Sequence, residues 1–173
     1  MTAQVETAAP RGPHVPFLLA AGFLNAIPIP IGGLATDEQL AASLRYFPLI
    51  GALLGGVIAL VDVGARALWP VSVASILDLV VLTMLTGGIH LDALMDTCDG
   101  VFGGRTVERR LEIMRDSRVG SFGVIGGALA LLTQYAALTD VVPSLRPAAL
   151  VAVLAASRWA MAVSYTHLTL PTI

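Results

Sequence analysis

The chain has little charge and almost no cysteine. Asp, Glu, Lys and Arg make up only 13% of its 173 residues, whereas 56% are hydrophobic and the mean hydropathy is +0.82. This balance excludes an ordinary soluble domain, in which about a quarter of the residues are charged, and it predicts an integral membrane protein. The single cysteine, Cys98, excludes an internal disulfide framework.

The N-terminus lacks the pattern of a removable signal peptide. Residues 1–13 are polar and contain proline, and no basic segment leads directly into a cleavage site of the A-x-A type. We therefore predict a disordered N-terminal tail over residues 1–13, followed by a membrane domain over residues 14–163.

Several apolar segments are long enough to cross a bilayer as helices. Residues 119–139, for example, form a run of 21 residues without a charge. The predicted spans are residues 47–61, 71–91, 119–139 and 147–163. A fifth segment, residues 16–34, is interrupted by Pro28 and Pro30 and either crosses, re-enters or lies in the bilayer surface. The predicted fold class is all-α, a polytopic helical bundle in a membrane.

Three carboxylates form one stripe on a predicted helix, in the segment G-I-H-L-D-A-L-M-D-T-C-D-G that begins at Gly88. With Asp92 as reference, Asp96 lies about 40° and Asp99 about −20° around the helix axis. Because like charges in such a stripe repel one another, the pattern predicts a bound cation. Mg²⁺ characteristically binds through a few carboxylates together with substrate phosphates.

The stripe is followed by an arginine-rich loop. Half of the ten basic residues lie between Arg105 and Arg118, and the positive-inside bias therefore places this loop in the cytoplasm. Thr106 is the predicted N-cap of a short amphipathic helix. Its apolar face carries Val107, Leu111 and Met114, and its polar face carries Arg105, Arg109, Glu112 and Asp116.

Two interpretations of this helix stay open. It either lies on the bilayer with ion pairs on its wet side, or its arginines bind a polyphosphate whose metal rests on the carboxylate stripe. The turn that runs from Arg118 through Gly120 to Gly123 leads into the next span, and backbone N–H groups there could meet an anion.

These residues resemble a known family. The string H-L-D-x-x-x-D-T-x-D-G from His90, followed by R-L-E-I-M-R-D-S-R-V-G-x-F-G from Arg110, is similar to cobalamin synthase, that is, adenosylcobinamide-GDP ribazoletransferase. The resemblance implies a multi-spanning, Mg²⁺-dependent enzyme of the bacterial inner membrane. Such an enzyme joins α-ribazole or its 5′-phosphate to adenosylcobinamide-GDP and releases GMP, in the last steps of cobalamin biosynthesis.

The chemistry assigns roles to the residues of the two motifs. Asp92 and Asp96 are predicted Mg²⁺ ligands, and Asp99 is either a third ligand or the base that takes the hydroxyl proton. His90 is a weaker base candidate, because a helix that includes it directs it about 160° away from Asp92. The predicted substrate-binding residues are Arg109, Glu112, Arg115, Asp116, Ser117 and Arg118.

Further expectations concern partners and alternatives. We expect small-molecule substrates, a lipid bilayer and no nucleic acid, and the oligomeric state stays open. One alternative is a CDP-alcohol-type membrane phosphotransferase, although its D-x-x-D-G-x-x-A-R pattern is spaced differently. Another is a divalent-cation transporter, although transporters tend to place ligands on paired, broken helices near the midplane. Asp78 and Arg158 lie within apolar segments, and each is either functional or paired with a buried polar group.

The C-terminus departs from the family pattern. Members of the family continue past the Ser157-Arg158-Trp159 segment through further helices, whereas residues 164–173 are polar and rich in threonine. We therefore expect a C-terminally truncated member with a non-native tail over residues 164–173, and the completeness of its active site stays open.

Overall fold

The computed structural model describes residues 12–168, and every regular element among them is helical. The helices are α1 (Val15–Leu24), α2 (Asp37–Ser43), α3 (Phe47–Leu68), α4 (Val71–Thr86), α5 (Ile89–Gly103), α6 (Val107–Met114), α7 (Ser121–Asp140) and α8 (Arg146–Leu168). A 3-10 turn over Leu44–Tyr46 joins α2 to α3. The predicted all-α class is confirmed. Residues 1–11 of the predicted tail and the last five residues of the chain lie outside the described part.

Three helical stretches are long and apolar enough to cross a membrane. They are Asp37–Leu68, which includes α2 and α3, then Ser121–Asp140 and Arg146–His167. By contrast, α1 has 10 residues, and at about 1.5 Å per residue it spans only half of a hydrocarbon core of about 30 Å. The apolar segment over residues 16–34 therefore does not form a single spanning helix.

The prediction of one helix over residues 71–91 is wrong. Helix α4 ends at Thr86 and α5 begins at Ile89, with an angle of 90° between the two. Gly87 and Gly88 have φ angles of 63° and 71°, and this left-handed conformation, which favours glycine, stops a right-handed helix. The pair α4 and α5 is thus a broken span or a re-entrant loop, and residues 12–168 contain three candidate spans, or four if this pair counts as one.

The chain divides into two compact units, of which the first contains the described residues up to Leu60 and from Pro147 onward. Within it, a Cβ atom added at Gly51 would overlap the backbone of Leu154, and one added at Gly55 would lie 2.6 Å from the Cα of Val151. Gly51 and Gly55 therefore permit close packing against the helix that contains Val151 and Leu154. Helix α8 continues past residue 163 to Leu168, so no helix end marks the predicted domain boundary, which stays a prediction.

The second unit, Val61–Arg146, contains the motif residues. Helix α5 packs against α6 and α7, and α4 also packs against α7. The face of α7 toward α5 is made of glycine, because added Cβ atoms at Gly123 and Gly126 would overlap Asp99 and Cys98. The helices of this unit therefore approach one another closely where the predicted site lies.

A buried ion network lies in the same unit. The Arg146 guanidinium is fully buried and lies 2.7 Å from a carboxylate oxygen of Asp62 and 3.1 Å from one of Asp78. It also donates to the Ser75 hydroxyl, while Arg66 lies 2.8 Å from the other oxygen of Asp62. Asp78 is thus paired with a buried cation, one of its two predicted roles. Asp62 and Arg146 were not predicted to take part.

Candidate functional site

The second unit contains a cleft of about 300 Å³ between the end of α5, helix α6 and the start of α7. Its polar lining consists of Asp99, Arg109, Glu112, Asp116, Arg118 and Ser121. Four of the six predicted substrate-binding residues therefore line one cavity. The other two, Arg115 and Ser117, are exposed and do not belong to its lining.

Helix α6 forms because its first turn is capped. The Thr106 side chain accepts a hydrogen bond from the backbone N–H of Arg109 at 3.3 Å, so the predicted N-cap is confirmed. Glu112 lies one turn further along and 2.6 Å from the Arg109 guanidinium, which places both side chains at the cleft. The helix ends at Met114, so the prediction that Asp116 belongs to its polar face is wrong. Asp116 reaches the cleft from the turn that follows.

The turn after α6 is closed by an ion pair. The Arg118 guanidinium contacts both carboxylate oxygens of Asp116, with a shortest distance of 2.7 Å, and the Arg118 backbone N–H also donates to Asp116 at 3.0 Å. Because the guanidinium donates to this carboxylate, the pKa of Asp116 is lowered to about 2, and the pKa of Arg118 is raised. The Arg118 side chain is 87% exposed, so it can contact a ligand without leaving a buried position.

The carboxylate of Asp99, a residue of α5, accepts hydrogen bonds from the start of α7. One of its carboxylate oxygens accepts a hydrogen bond from the Gly120 N–H and the other from the Gly123 N–H, each at 2.7 Å. These amides belong to the first turn of α7, where N–H groups have no partner within the helix. The expectation that backbone N–H groups of this turn could meet a bound anion stays a prediction, and in the structure two of these groups donate to a carboxylate of the protein itself.

The remaining predicted site residues lie outside the cleft. Asp92 is exposed and Asp96 is half-buried on α5, while His90 is the second residue of that helix. Since α5 includes His90, helical geometry directs it away from Asp92, as expected. Among residues 12–168, no three His, Cys, Asp or Glu side chains are grouped so that they could hold a metal ion. The carboxylate oxygens of Asp99 instead face α7, where they accept the N–H groups of Gly120 and Gly123.

The cleft also contains residues that were not among the predicted site residues. Ser121 and Phe122, the first residues of α7, and Ile113 of α6 are part of its lining. The only available signal was the glycine pattern at the start of α7, since Gly120 and Gly123 permit the approach of Asp99. Within the lining, two guanidinium groups face three carboxylates, which gives a formal charge of −1.

Comparison with known proteins relates the chain to one family. Residues 16–171 match the family described as cobalamin-5-phosphate synthase. Three similar relatives carry the name adenosylcobinamide-GDP ribazoletransferase. The relative from Desulforamulus reducens is 42% identical over 149 residues, which cover 86% of this chain and 59% of the relative. The relative from Leptothrix cholodnii is 43% identical over 148 residues, covering 86% and 54%. The relative from Vibrio cholerae is 44% identical over 133 residues, covering 73% and 51%.

The matches cover only part of each relative. The chain spans about half the length of the curated relatives that it matches. No solved structure matches the chain closely enough for comparison.

Proposed function

We propose, since the chain belongs to the cobalamin-5-phosphate synthase family, that it carries the nucleotide-binding part of an adenosylcobinamide-GDP ribazoletransferase. The observation that carries this proposal is the cleft, which Arg109 and Arg118 line together with the first residues of α7. Guanidinium groups match the geometry of phosphate oxygens. The family match also favours ribazole transfer over the CDP-alcohol phosphotransferase and the cation transporter.

The proposed reaction is a substitution at phosphorus. A ribose hydroxyl of α-ribazole or its 5′-phosphate attacks the phosphorus on the cobinamide side of the pyrophosphate, and a new P–O ester bond forms. The bond from that phosphorus to the bridging oxygen breaks, GMP leaves with the electron pair, and the hydroxyl proton passes to a base. Catalysis of such a transfer depends mainly on positioning and on neutralising charge at the phosphoryl oxygens, a role that Arg109 and Arg118 suit.

The charge of the cleft supports a requirement for a cation. Its lining has a formal charge of −1, so an anionic pyrophosphate is repelled unless positive charge enters with it. Asp92 and Asp96 lie outside the cleft lining but on the same helix as Asp99, and they are exposed and half-buried, respectively. Two carboxylates that are open to water suit Mg²⁺, because this ion uses one or two carboxylates and keeps several waters. When bound, Mg²⁺ would neutralise charge on the phosphate oxygens. The assignment of His90 as a base stays a prediction.

We further propose a location in the bacterial inner membrane with the cleft on the cytoplasmic side. The arginine-rich segment between α5 and α7 supports this orientation through the positive-inside bias. A cytoplasmic cleft would have direct access to nucleotide substrates. The lipid bilayer would then surround the apolar helices α3, α7 and α8.

The proposed function is tested by replacing Arg118. The test protein is a full-length family member that contains residues 12–168 of this chain. Membranes with this protein are supplied with Mg²⁺, α-ribazole and adenosylcobinamide-GDP, and the release of GMP is measured. Arg118→Lys keeps the charge but loses the planar fork, so we expect GMP release to fall by about tenfold, as for a loss of about 1.4 kcal/mol. The control is Arg45→Lys, which changes an exposed arginine of the first unit.

Two results would contradict the proposal. Wild-type membranes that release no GMP would exclude the activity. Equal GMP release by Arg118→Lys and Arg45→Lys, at equal amounts of inserted protein, would exclude Arg118 from phosphate binding.

A further inference from the structure

We infer that Asp99 is a positioning residue, which anchors the start of α7 and thereby places the phosphate-binding turn that contains Arg118. This inference rests on the proposed function for the identity of the ligand. It assigns Asp99 a task different from the metal binding or proton transfer that the sequence suggested.

The first support is the way in which the Asp99 carboxylate is held. Asp99 is only 7% exposed. Each oxygen of its carboxylate accepts a hydrogen bond from a backbone N–H at 2.7 Å. A carboxylate at a helix N-terminus also interacts favourably with the helix dipole. Added Cβ atoms at Gly120 and Gly123 would overlap this carboxylate, so the glycines allow it to reach the two amides.

The second support is the geometry of the turn. Residues 116–120 are fixed at one end by the contacts between Arg118 and Asp116, and at the other end by the hydrogen bond from Gly120 to Asp99. Only Val119 lies between Arg118 and Gly120. The backbone of Arg118 is therefore tied to α5 through Asp99, while its side chain stays exposed at the cleft.

The third support is the different surroundings of the other two carboxylates. Asp92 and Asp96 are less buried than Asp99 on the same helix, and the mode of Mg²⁺ binding needs no more than one or two carboxylates. The stripe is thus divided by task. Asp92 and Asp96 remain available for the cation, and Asp99 holds the chain that carries the arginine.

The first experiment compares two variants that remove the same charge from α5. In the full-length protein, Asp99→Asn leaves one carbonyl acceptor and turns an NH₂ group toward the second amide, so hydrogen exchange of the Gly120 and Gly123 amides should rise about tenfold or more. Asp92→Asn should leave this exchange unchanged. The affinity for Mn²⁺, measured by electron paramagnetic resonance, should respond in the opposite way. Asp92→Asn should weaken it about tenfold, and Asp99→Asn should leave it within twofold of the wild-type value.

The second experiment separates positioning from a purely structural role. Asp99→Asn should raise the KM for adenosylcobinamide-GDP about tenfold and change kcat less than threefold. In the Arg118→Lys background, Asp99→Asn should raise the KM by less than a further twofold, because residues that act through one another have non-additive effects. Gly123→Ala places a Cβ atom against the Asp99 carboxylate and so displaces it from α7. This variant should raise the KM by a similar factor. Gly64→Ala is the control, since its added Cβ meets no atom within 4 Å.

Defined results would overturn the inference. Mn²⁺ binding that weakens equally in Asp99→Asn and Asp92→Asn would identify Asp99 as a metal ligand. An unchanged KM, or effects of Asp99→Asn and Arg118→Lys that multiply independently, would leave Asp99 a structural role alone. If the wild-type protein releases no GMP, the proposed function fails, and the exchange and Mn²⁺ measurements still decide between anchoring and metal binding.

Discussion

Asp116 and Arg118 determine how the turn beside the cleft responds to pH. The guanidinium lowers the pKa of Asp116 to about 2, so the carboxylate stays ionised throughout the pH range in which enzymes are usually assayed. The stabilisation that this pair gives the turn is fully present above the ordinary carboxyl pKa of 3.8. It is lost as the pH falls toward 2.

We predict that the carboxyl carbon of Asp116 titrates with a midpoint near pH 2 and that the turn over residues 116–120 loses order only below about pH 4. A nuclear magnetic resonance titration of the protein labelled with ¹³C at aspartate measures the midpoint. In Arg118→Ala the midpoint should return toward its ordinary value. Because the pair is exposed, high salt should also raise it. A wild-type midpoint at or above 4 would show that the pair does not form.

The positions of single residues could be predicted only in part. Arg109, Glu112, Asp116 and Arg118 were identifiable as neighbours because charged residues cluster in this segment, and all four line the cleft, while their roles stay predictions. The hydrogen-bond partners of Asp99 were not identifiable. A helical wheel gives the direction of a side chain but not the group opposite, and here that group is a pair of backbone amides, which leave no trace in the sequence except glycine.

Helix ends in the second unit are set by specific residues. Thr106 starts α6 through its side-chain oxygen, and Gly87 and Gly88 separate α4 from α5 by their left-handed backbone. The N–H of Gly88 donates to the carbonyl of Thr83 at 2.9 Å, as is typical of a helix C-terminus that ends in glycine. The direction of α5, and with it the position of the carboxylate stripe, therefore depends on two glycines.

We predict that Gly88→Ala lowers the free energy of unfolding by about 1–2 kcal/mol, because a residue with a Cβ atom is strained in the left-handed conformation. Steric overlap does not add to this cost, since the nearest atom to the added Cβ is Thr83 Cγ2 at 3.8 Å. Gly56→Ala is the matched control, because Gly56 lies within α3 and has open space around it. Unfolding in mixed micelles, followed by circular dichroism, measures both. Equal stability of the two variants would contradict the prediction.

Elements were easier to predict than their junctions. The positions of α6 and α7 follow from a capping threonine and from hydrophobicity, which are local properties. The break between α4 and α5 was missed because apolar residues continue on both sides of Gly87 and Gly88, and hydropathy does not register backbone angles. The glycine pair was the available signal.

Within residues 12–168, arginines lie in two contrasting environments. The arginines of the α5–α7 segment are mostly exposed, whereas Arg146 is fully buried with Asp62 and Asp78. The buried set was not predictable as a set, because Arg146 is 84 residues from Asp62 and 68 residues from Asp78. Composition identifies a membrane protein, but it does not show which distant charges meet.

We predict that Arg146→Met destabilises the protein by about 3–5 kcal/mol, because removing one partner leaves buried carboxylates without compensation. Arg66→Met should cost less, since the Arg66 side chain is 21% exposed and contacts only Asp62 in this network. The two variants are compared by thermal unfolding in detergent. A loss in Arg146→Met no greater than that in Arg66→Met would show that the buried pairs contribute little.

The orientation of the chain in the membrane gives a prediction of its own. Ser117 is exposed in the loop that we place in the cytoplasm, and Cys98 is the only cysteine. In a Cys98→Ala background, Ser117→Cys should resist an impermeant thiol reagent added to intact cells and should react after the cells are broken. Labelling in intact cells would reverse the proposed topology.

The pairing of Arg146 with Asp62 and Asp78 also constrains how the protein is made. At roughly 5–20 residues per second, the ribosome needs about 3–14 s to progress from Asp78 to Arg146, given their separation of 68 residues. When this interval begins, α3 is already complete, and the rest of α4 and helices α5 to α7 are synthesised before Arg146 can pair with Asp78. Because an unpaired charge in a membrane helix is costly, the integration of α4 should stay reversible until Arg146 emerges. The start of α8 would thus be the step that commits the earlier helices to the bilayer.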